Sequence, residues 1–214
     1  MSLILGIDEA GRGPVIGPMV IAGVAINESN LQSLRDLKLR DSKKLSKSSR
    51  DIFYDEIKSL CDGVYSIHLL PVDLNENLTI VERDAIIKIT AKFSPSQLFV
   101  DAPVPPKAIP GFVQSIVDRL TLHDLKITAE NGADDRYEIV SAASIIAKVE
   151  RDREIEKLWD VHGDFGCGYP SDPKTQNFLR NCYLSEGQFP ECVRIRWATV
   201  DRVIHEVKQQ RFQW

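Results

Sequence analysis

Hydrophobic positions along this chain fall either in short unbroken apolar runs or at near-helical spacing. Leu3 to Ile7 and Met19 to Ile26 are short runs rich in Ile and Val, separated by a stretch punctuated by Gly11, Gly13, Pro14, Gly17 and Pro18. They predict a strand, an irregular loop and a second strand. Asp51 to Cys61 carries Ile52, Phe53, Ile57 and Leu60 near helical spacing, with Ser46, Ser48 and Ser49 upstream as start signals. Val64 to Leu70 predicts a further strand and Ile80 to Phe93 a helix. Leu98 to Val100 is a brief apolar segment that stops at Asp101-Ala102-Pro103, the pattern of a buried strand delivering an acid at its carboxyl end. Phe112 to Leu120 predicts a helix, Leu125 to Thr128 a strand, and Asn131-Gly132 a turn ahead of Asp134-Asp135.

Val140 to Leu158 predicts the longest helix, opening on the small residues Ser141-Ala142-Ala143-Ser144, which permit close approach to a sheet or a ligand. Gly163 to Tyr169 breaks that pattern, and two more helical stretches follow around Asn177 to Tyr183 and Ala198 to Lys208. Strands and helices mix without strict alternation, which points to an α/β domain with a mixed sheet flanked by helices rather than a barrel. The expected division is a domain over 1–165 and a small helical C-terminal appendage over 166–214. No internal repeat or low-complexity linker interrupts the chain.

With 214 residues, 43% of them hydrophobic and 27% charged, the chain belongs among globular proteins and far from disordered ones. Cys61, Cys167, Cys182 and Cys192 form no CxxC pair, so neither a zinc site nor a disulfide framework is indicated. The N-terminus is too short for a signal sequence and no apolar run reaches the ~18 residues of a membrane span, so a cytoplasmic protein is expected. A formal net charge of −4 is unusual for a protein that binds phosphates. Locally the balance reverses: Lys38, Arg40, Lys43, Lys44, Lys47 and Arg50 face only Asp41 between positions 38 and 50.

The stretch that carries chemistry is Gly6-Ile7-Asp8-Glu9-Ala10-Gly11-Arg12-Gly13-Pro14, two adjacent acids at a strand end followed by a glycine-rich loop holding one arginine. An acidic pair alone is equally well read as a solvated turn. Glycines on both sides of Arg12, however, let backbone amides approach a sugar or phosphate while the guanidinium holds an oxygen. The combination favours a loop that faces a nucleotide.

Asp8-Glu9-Ala10-Gly11-Arg12-Gly13-Pro14 resembles the signature of the type 2 ribonuclease H (ribonuclease HII) family, its archaeal members in particular. Asp41-Ser42-Lys43-Lys44-Leu45, Asp101 after an apolar strand, Ala133-Asp134, Ser141 through Val149, and Gly168-Tyr169-Pro170-Ser171-Asp172-Pro173 resemble further family motifs in the family's order, over most of the chain. The resemblance implies the ribonuclease H-like fold and an endonuclease that cuts the RNA strand of RNA–DNA hybrids. It also implies cutting 5′ to ribonucleotides embedded in duplex DNA, leaving a 3′-hydroxyl and a 5′-phosphate. It assigns metal binding and catalysis to Asp8, Glu9, Asp101 and Asp134, which would hold a pair of Mg²⁺ or Mn²⁺ ions, hard cations that prefer carboxylate oxygen. Asp135 competes with Asp134 for the last position, and the family pattern favours Asp134. Cations there would offset the negative total.

By the same resemblance Gly11, Arg12, Gly13 and Tyr169 would recognise the ribonucleotide through its 2′-hydroxyl and the neighbouring deoxyribose. Ser42, Lys43 and Lys44 would hold the substrate backbone. Lys148 would face substrate too, and helical spacing puts Ser141, Ser144, Lys148 and Arg151 on one side, a stripe suited either to gripping phosphates or to simple solvation. Tyr169 could instead anchor the appended helices. His68, His123, His162 and His205 lack the spacing of a metal or catalytic cluster, and Trp159 and Trp197 fit a core.

Two departures from the family stand out: Asn131-Gly132 ahead of Ala133-Asp134, and Glu150 where many members carry threonine. The type 3 branch is disfavoured because Asp8 leaves no room for its N-terminal extension, and a junction resolvase would not explain Gly11-Arg12-Gly13 with Tyr169. A non-catalytic hybrid-binding module would be expected to have lost an acid. Gln209 to Trp214 is similar to the short sequences that dock on a sliding clamp, with a different placement of aromatics. A monomer is expected.

Overall fold

The computed structural model describes residues 2–39, 46–122 and 124–211. Two compact units emerge: the first comprises Met1–Ala10, Val20–His68 and Leu78–Glu150, the second Gly11–Met19, Leu69–Asn77 and Arg151–Trp214. The stretch predicted as an appendage, 166–214, thus falls in the second unit together with 11–19, 69–77 and 151–165.

The first unit is built on a five-stranded mixed sheet from β1 (Leu3–Ala10), β2 (Met19–Asn27), β3 (Gly63–Leu69), β4 (Gln97–Asp101) and β5 (Lys126–Glu130), in the order β3-β2-β1-β4-β5. β1 pairs antiparallel with β2, whereas β1, β4 and β5 run parallel. The β1–β2 ladder continues through Asp8↔Ala22, Glu9↔Ile21 and Ala10↔Val20, so the acids expected at the strand end are paired within the ladder. β2 is almost wholly buried and reads as a continuous apolar run, the signature of a strand covered on both faces.

Helices α1 (Leu31–Asp36), α2 (Lys47–Leu60), α3 (Leu78–Phe93), α4 (Ile109–Val117) and the first half of α5 (Glu138–His162) complete this unit. Ser46 caps α2, its hydroxyl accepting from the Ser49 amide at 3.2 Å, so α2 starts earlier than apolar spacing suggested. The core joins Ile4, Val20, Val24, Ile26, Leu34 and Ile57 to the buried face of α5 from Ile139 to Val149. Gly6 brings the chains together there: a Cβ on it would lie 2.4 Å from the Ile139 carbonyl oxygen.

The second unit contains the 11–19 loop, the remainder of α5, α6 (Pro173–Glu186) and α7 (Ala198–Arg211). Asp172 caps α6 by accepting from the Lys174 amide at 2.9 Å, and Pro173 occupies the first turn, where it costs no hydrogen bond. Its core gathers Val15, Ile16, Ile155, Phe165, Leu179 and the Val200, Val203 and Val207 stripe of α7, with Trp159 and Trp197 packed against it as predicted. Backbone bonds from Val15 to the Gly168 carbonyl, from Gly17 to the Cys192 carbonyl and from Arg194 to the Val15 carbonyl fix the 11–19 loop. Among the described residues no helix is long and apolar enough to cross a membrane.

Candidate active site

Three parallel strands end together, and the acids stand at those carboxyl ends, the usual position of ligand sites in open α/β sheets. The register Ile7↔Val100 puts Asp8 beside Asp101, and Asp101 pairs with Glu130 on β5. Alternation along β1 turns Asp8 to the same face as Gly6, toward α5, and leaves Glu9 on the other face. Asp8 is buried, at 6% exposure. Burial first, then the charges of Glu9 and Asp101, push its carboxyl well above the ordinary carboxylate range, and the Ser144 hydroxyl and the Glu9 amide pull partly the other way.

Asp101 also shapes the turn after β5. Its Oδ1 accepts from the amides of Gly132 at 2.7 Å and Ala133 at 3.2 Å, immediately ahead of Asp134. Gly132 has φ +70°, a conformation that favours glycine. Asn131 locks the same turn, its Nδ2 donating to the carbonyls of Ala102 and Val104 at 2.8 Å each. Asp134 is buried at 4% exposure, and its neighbour Asp135 is exposed. Glu130, at the same strand end, is engaged by the Tyr137 hydroxyl at 3.0 Å and by Arg136. Among the described residues no three acid, His or Cys side chains already close into a cation-holding group, and Asp8 feels the charges of Glu9 and Asp101. The donor set of Asp8, Glu9 and Asp101 is nonetheless all oxygen and repulsive, which fits hard divalent cations.

Helix α5 presents a chain of contacts behind Asp8. Lys148 Nζ donates to Ser144 Oγ at 2.8 Å, and the Ser144 hydroxyl serves Asp8. Ser141 donates to the Leu39 carbonyl at 2.9 Å. The stripe that spacing placed on one side is therefore turned inward: Ser141, Ser144 and Arg151 are buried and Lys148 is half-buried. Glu150 accepts from Tyr54 at 3.2 Å and pairs with His68 at 2.8 Å, tying α2, β3 and α5 together. Its own burial would raise the Glu150 carboxyl, but His68, Ser66 and Tyr54 together outweigh that and hold it low.

In the second unit the glycine–arginine loop is clamped from behind. Gly11 has φ +84° and is buried, Arg12 is half-buried, and Gly13 is exposed beside the Tyr169 ring. The wholly buried Arg194 donates through Nη2 to the Gly11 carbonyl at 2.6 Å, through Nη1 to the Arg12 carbonyl at 3.1 Å and through Nε to the Gly17 carbonyl at 2.9 Å. Burial, then Arg151, push its guanidinium down to about 9, so it stays charged at neutral pH. Arg151 stacks on Tyr169, 5.6 Å from the ring centre, and donates from Nη2 to the Cys167 carbonyl at 2.9 Å. Tyr169 is 41% exposed.

Asp8, Glu9, Asp101, Asp134 and Lys148 thus belong to the first unit, and Gly11, Arg12, Gly13 and Tyr169 to the second. Ser42, Lys43 and Lys44 lie outside the described residues. Sequence reasoning did not single out Asn131 as a lock or Arg194 as a clamp. A polar residue next to a turn glycine was the signal available for the first, and nothing in Val193-Arg194-Ile195-Arg196 marks the second.

The chain matches the family model described as Ribonuclease HII over residues 5–200. It is 42% identical over 222 aligned residues to the Ribonuclease HII of Methanococcus maripaludis strain S2, covering 99% of this chain and 90% of that protein. The crystal structure of the ribonuclease H2 from Pyrococcus horikoshii superposes with a TM-score of 0.87 at 38% identity, covering 97% of this chain and 99% of that one. The ribonuclease HII in the PCNA:RNase HII complex from Archaeoglobus fulgidus gives a TM-score of 0.82 at 39% identity, over 94% and 96% of the two chains. With its mixed sheet and its acids at the strand ends, the chain belongs to the ribonuclease HII family of endoribonucleases.

Proposed function

We propose that this protein is a divalent-metal-dependent endonuclease that hydrolyses the RNA strand of RNA–DNA hybrids and the phosphodiester 5′ to ribonucleotides embedded in duplex DNA, leaving 3′-hydroxyl and 5′-phosphate ends. The observation that carries it is the meeting of Asp8, Glu9 and Asp101 at neighbouring strand ends, with Asp134 on a turn hung from the Asp101 carboxylate. Like charges crowded in this way, with Asp8 and Asp134 buried, favour a bound cation.

Asp8, Glu9, Asp101 and Asp134 are the proposed ligands, with Asp134 preferred to Asp135 because it is the buried member of the pair. Bound Mg²⁺ or Mn²⁺ would supply an activated water and charge neutralisation at the scissile phosphate. Ser144 and Lys148 orient Asp8. Gly11, Arg12 and Gly13 read the ribose 2′-hydroxyl, and Tyr169 packs on the adjacent deoxyribose. Ser42, Lys43 and Lys44 hold the substrate backbone. A cytoplasmic setting suits the four free cysteines. Contact with a sliding clamp through 209–214 is part of the proposal, supported by the clamp complex of the Archaeoglobus relative.

The test is a DNA duplex holding one ribonucleotide, incubated with Mg²⁺, with Mn²⁺ and with chelator. Nicking 5′ to the ribonucleotide is expected only with metal, and Asp8→Asn should lower it by at least ~100-fold, since even residues behind a ligand cost ~10–100-fold. Tight binding with no metal-stimulated nicking would instead mark a non-catalytic hybrid-binding module, and full activity in Asp8→Asn would remove Asp8 from the chemistry.

A further inference from the structure

Arg194 heads the fully buried side chains by size, and among the described residues no carboxylate pairs with it. Taking a guanidinium out of water without a counter-ion is costly, and an apolar side chain would fill the space more cheaply. What the cation obtains instead is three carbonyl oxygens of one loop, those of Gly11, Arg12 and Gly17. A planar fork of fixed donors is suited to that, because it dictates where each carbonyl points.

Peptide planarity carries the consequence outward. In a trans peptide the carbonyl of one residue and the N–H of the next point in opposite directions, and among the described residues there is no cis peptide. Drawing the Gly11 carbonyl onto Nη2 therefore aims the Arg12 N–H away from Arg194, and drawing the Arg12 carbonyl onto Nη1 does the same for the Gly13 N–H. Bonding to a cation also polarises each peptide and strengthens its N–H as a donor. Gly13 is the exposed residue of this loop, and a Cβ there would lie 3.5 Å from the Tyr169 ring. Arg151 braces that ring in turn, stacking on it while its own Nε has no hydrogen-bond partner.

We propose that Arg194 is a positioning residue for ribose recognition: gripping the loop carbonyls from behind, it presets the Arg12 and Gly13 amides as paired donors for the 2′-hydroxyl oxygen. The inference rests on the proposed function and adds to it the device that fixes the reading loop. Adjacent amides held this way form an oxygen-binding concavity that needs no rearrangement when substrate arrives.

Two variants test it. Arg194→Lys keeps the charge but supplies its donors from one nitrogen, and Arg194→Gln removes the charge, so neither reproduces the planar fork that spans the three carbonyls. Each is compared with wild type on duplexes whose single modified nucleotide carries a 2′-hydroxyl or a 2′-fluorine, the latter being a poor acceptor. The preference for hydroxyl over fluorine should narrow by about tenfold in Arg194→Gln and by less in Arg194→Lys, the scale of charge-assisted hydrogen bonds. The Arg12 and Gly13 amide resonances should shift in both. A merely structural role would lower thermal stability and leave the preference alone. If folded Arg194→Lys keeps the preference within twofold of wild type and its two amide resonances do not move, the proposal is overturned. Absence of metal-dependent nicking by wild type would sink the proposed function instead, and the amide resonances would then decide the positioning role on their own.

Discussion

Replacing Gly6 by alanine should damage both stability and the acid cluster, because β1 and the start of α5 meet there backbone to backbone. The added Cβ would fall 2.4 Å from the Ile139 carbonyl oxygen, 2.5 Å from its carbon and 2.8 Å from the Val140 nitrogen. No side chain can rotate away from such a clash. Restoring ordinary contact, from 2.4 to at least 3.4 Å, requires the helix start to retreat by about 1 Å. Overpacking of this kind costs ~1–3 kcal/mol. In a chain of this size each kcal/mol lowers the melting temperature by ~2–4 °C, so a fall of roughly 2–12 °C is expected. The same retreat withdraws Ser144 from Asp8, and a misplacement of ~1 Å in a catalytic group can lower turnover ~100-fold. Thermal melts followed by circular dichroism, and single-turnover nicking well below both melting temperatures, read the two effects separately. Gly111→Ala is the control: it lies in α4 with nothing within 4 Å of its added carbon, and should be neutral or stabilising by up to ~1 kcal/mol. A Gly6→Ala protein that melts like wild type would refute the backbone contact. One that is destabilised but nicks at the wild-type rate would refute the link through Ser144.

Asp101→Asn keeps an oxygen to accept from the Gly132 and Ala133 amides but loses the charge, whereas Asp101→Ala loses both. Nicking should fall at least ~100-fold in each, and only Asp101→Ala should also lose ~1–3 kcal/mol in denaturant titrations, the cost of stranding those donors. Glu150 has its carboxyl held low by His68 and Tyr54 after the opposing effect of burial, so its stabilisation is present above the ordinary carboxylate range and lost as pH falls through the lowered value. Glu150→Gln should therefore be less stable than wild type near neutral pH and converge with it in acid, and parallel stability curves would exclude the network. Tyr169→Ala removes the partly exposed ring that Arg151 supports and should slow cutting at a single embedded ribonucleotide by about tenfold or more, while unchanged turnover there would take Tyr169 out of the site.

Period and punctuation made much of the first unit legible. The apolar runs at 3–7 and 98–100 mark adjacent parallel strands, and the small residues at the start of α5 reflect its close approach at Gly6. Helix starts were less legible where proline stood at them. Pro110 and Pro173 look like breaks in a one-dimensional pattern but sit in first turns, so α4 and α6 begin three and four residues ahead of the helical stretches predicted at Phe112 and Asn177. Tertiary contacts were not legible at all. The inward turn of Ser144 and Arg151 depends on what covers α5, and a charge-rich run such as Glu150 to Glu154 gives no warning that its arginine at 151 is buried. Arg194 is the extreme case, since its partners are carbonyls 177 to 183 residues away in sequence, and carbonyls carry no sequence signature.

The formal charge of −4 conceals a sorting that matters more than its sum. Within six residues the chain passes from Asp8 and Glu9, buried or half-buried among further acids, to Gly11-Arg12-Gly13, whose first two carbonyls rest on a buried cation. The first arrangement carries excess negative charge and favours hard cations. The second turns its carbonyls inward and its amides outward, and favours an oxygen acceptor. A nuclease that must bind a phosphate through metal while telling a ribose from a deoxyribose needs both properties, and they oppose each other electrostatically. On the proposed function, backbone dipoles fixed by an enclosed guanidinium would meet the second need. A lysine at this buried position would carry the same charge but lack the planar fork that holds the Gly11, Arg12 and Gly17 carbonyls, and so would be a poor substitute.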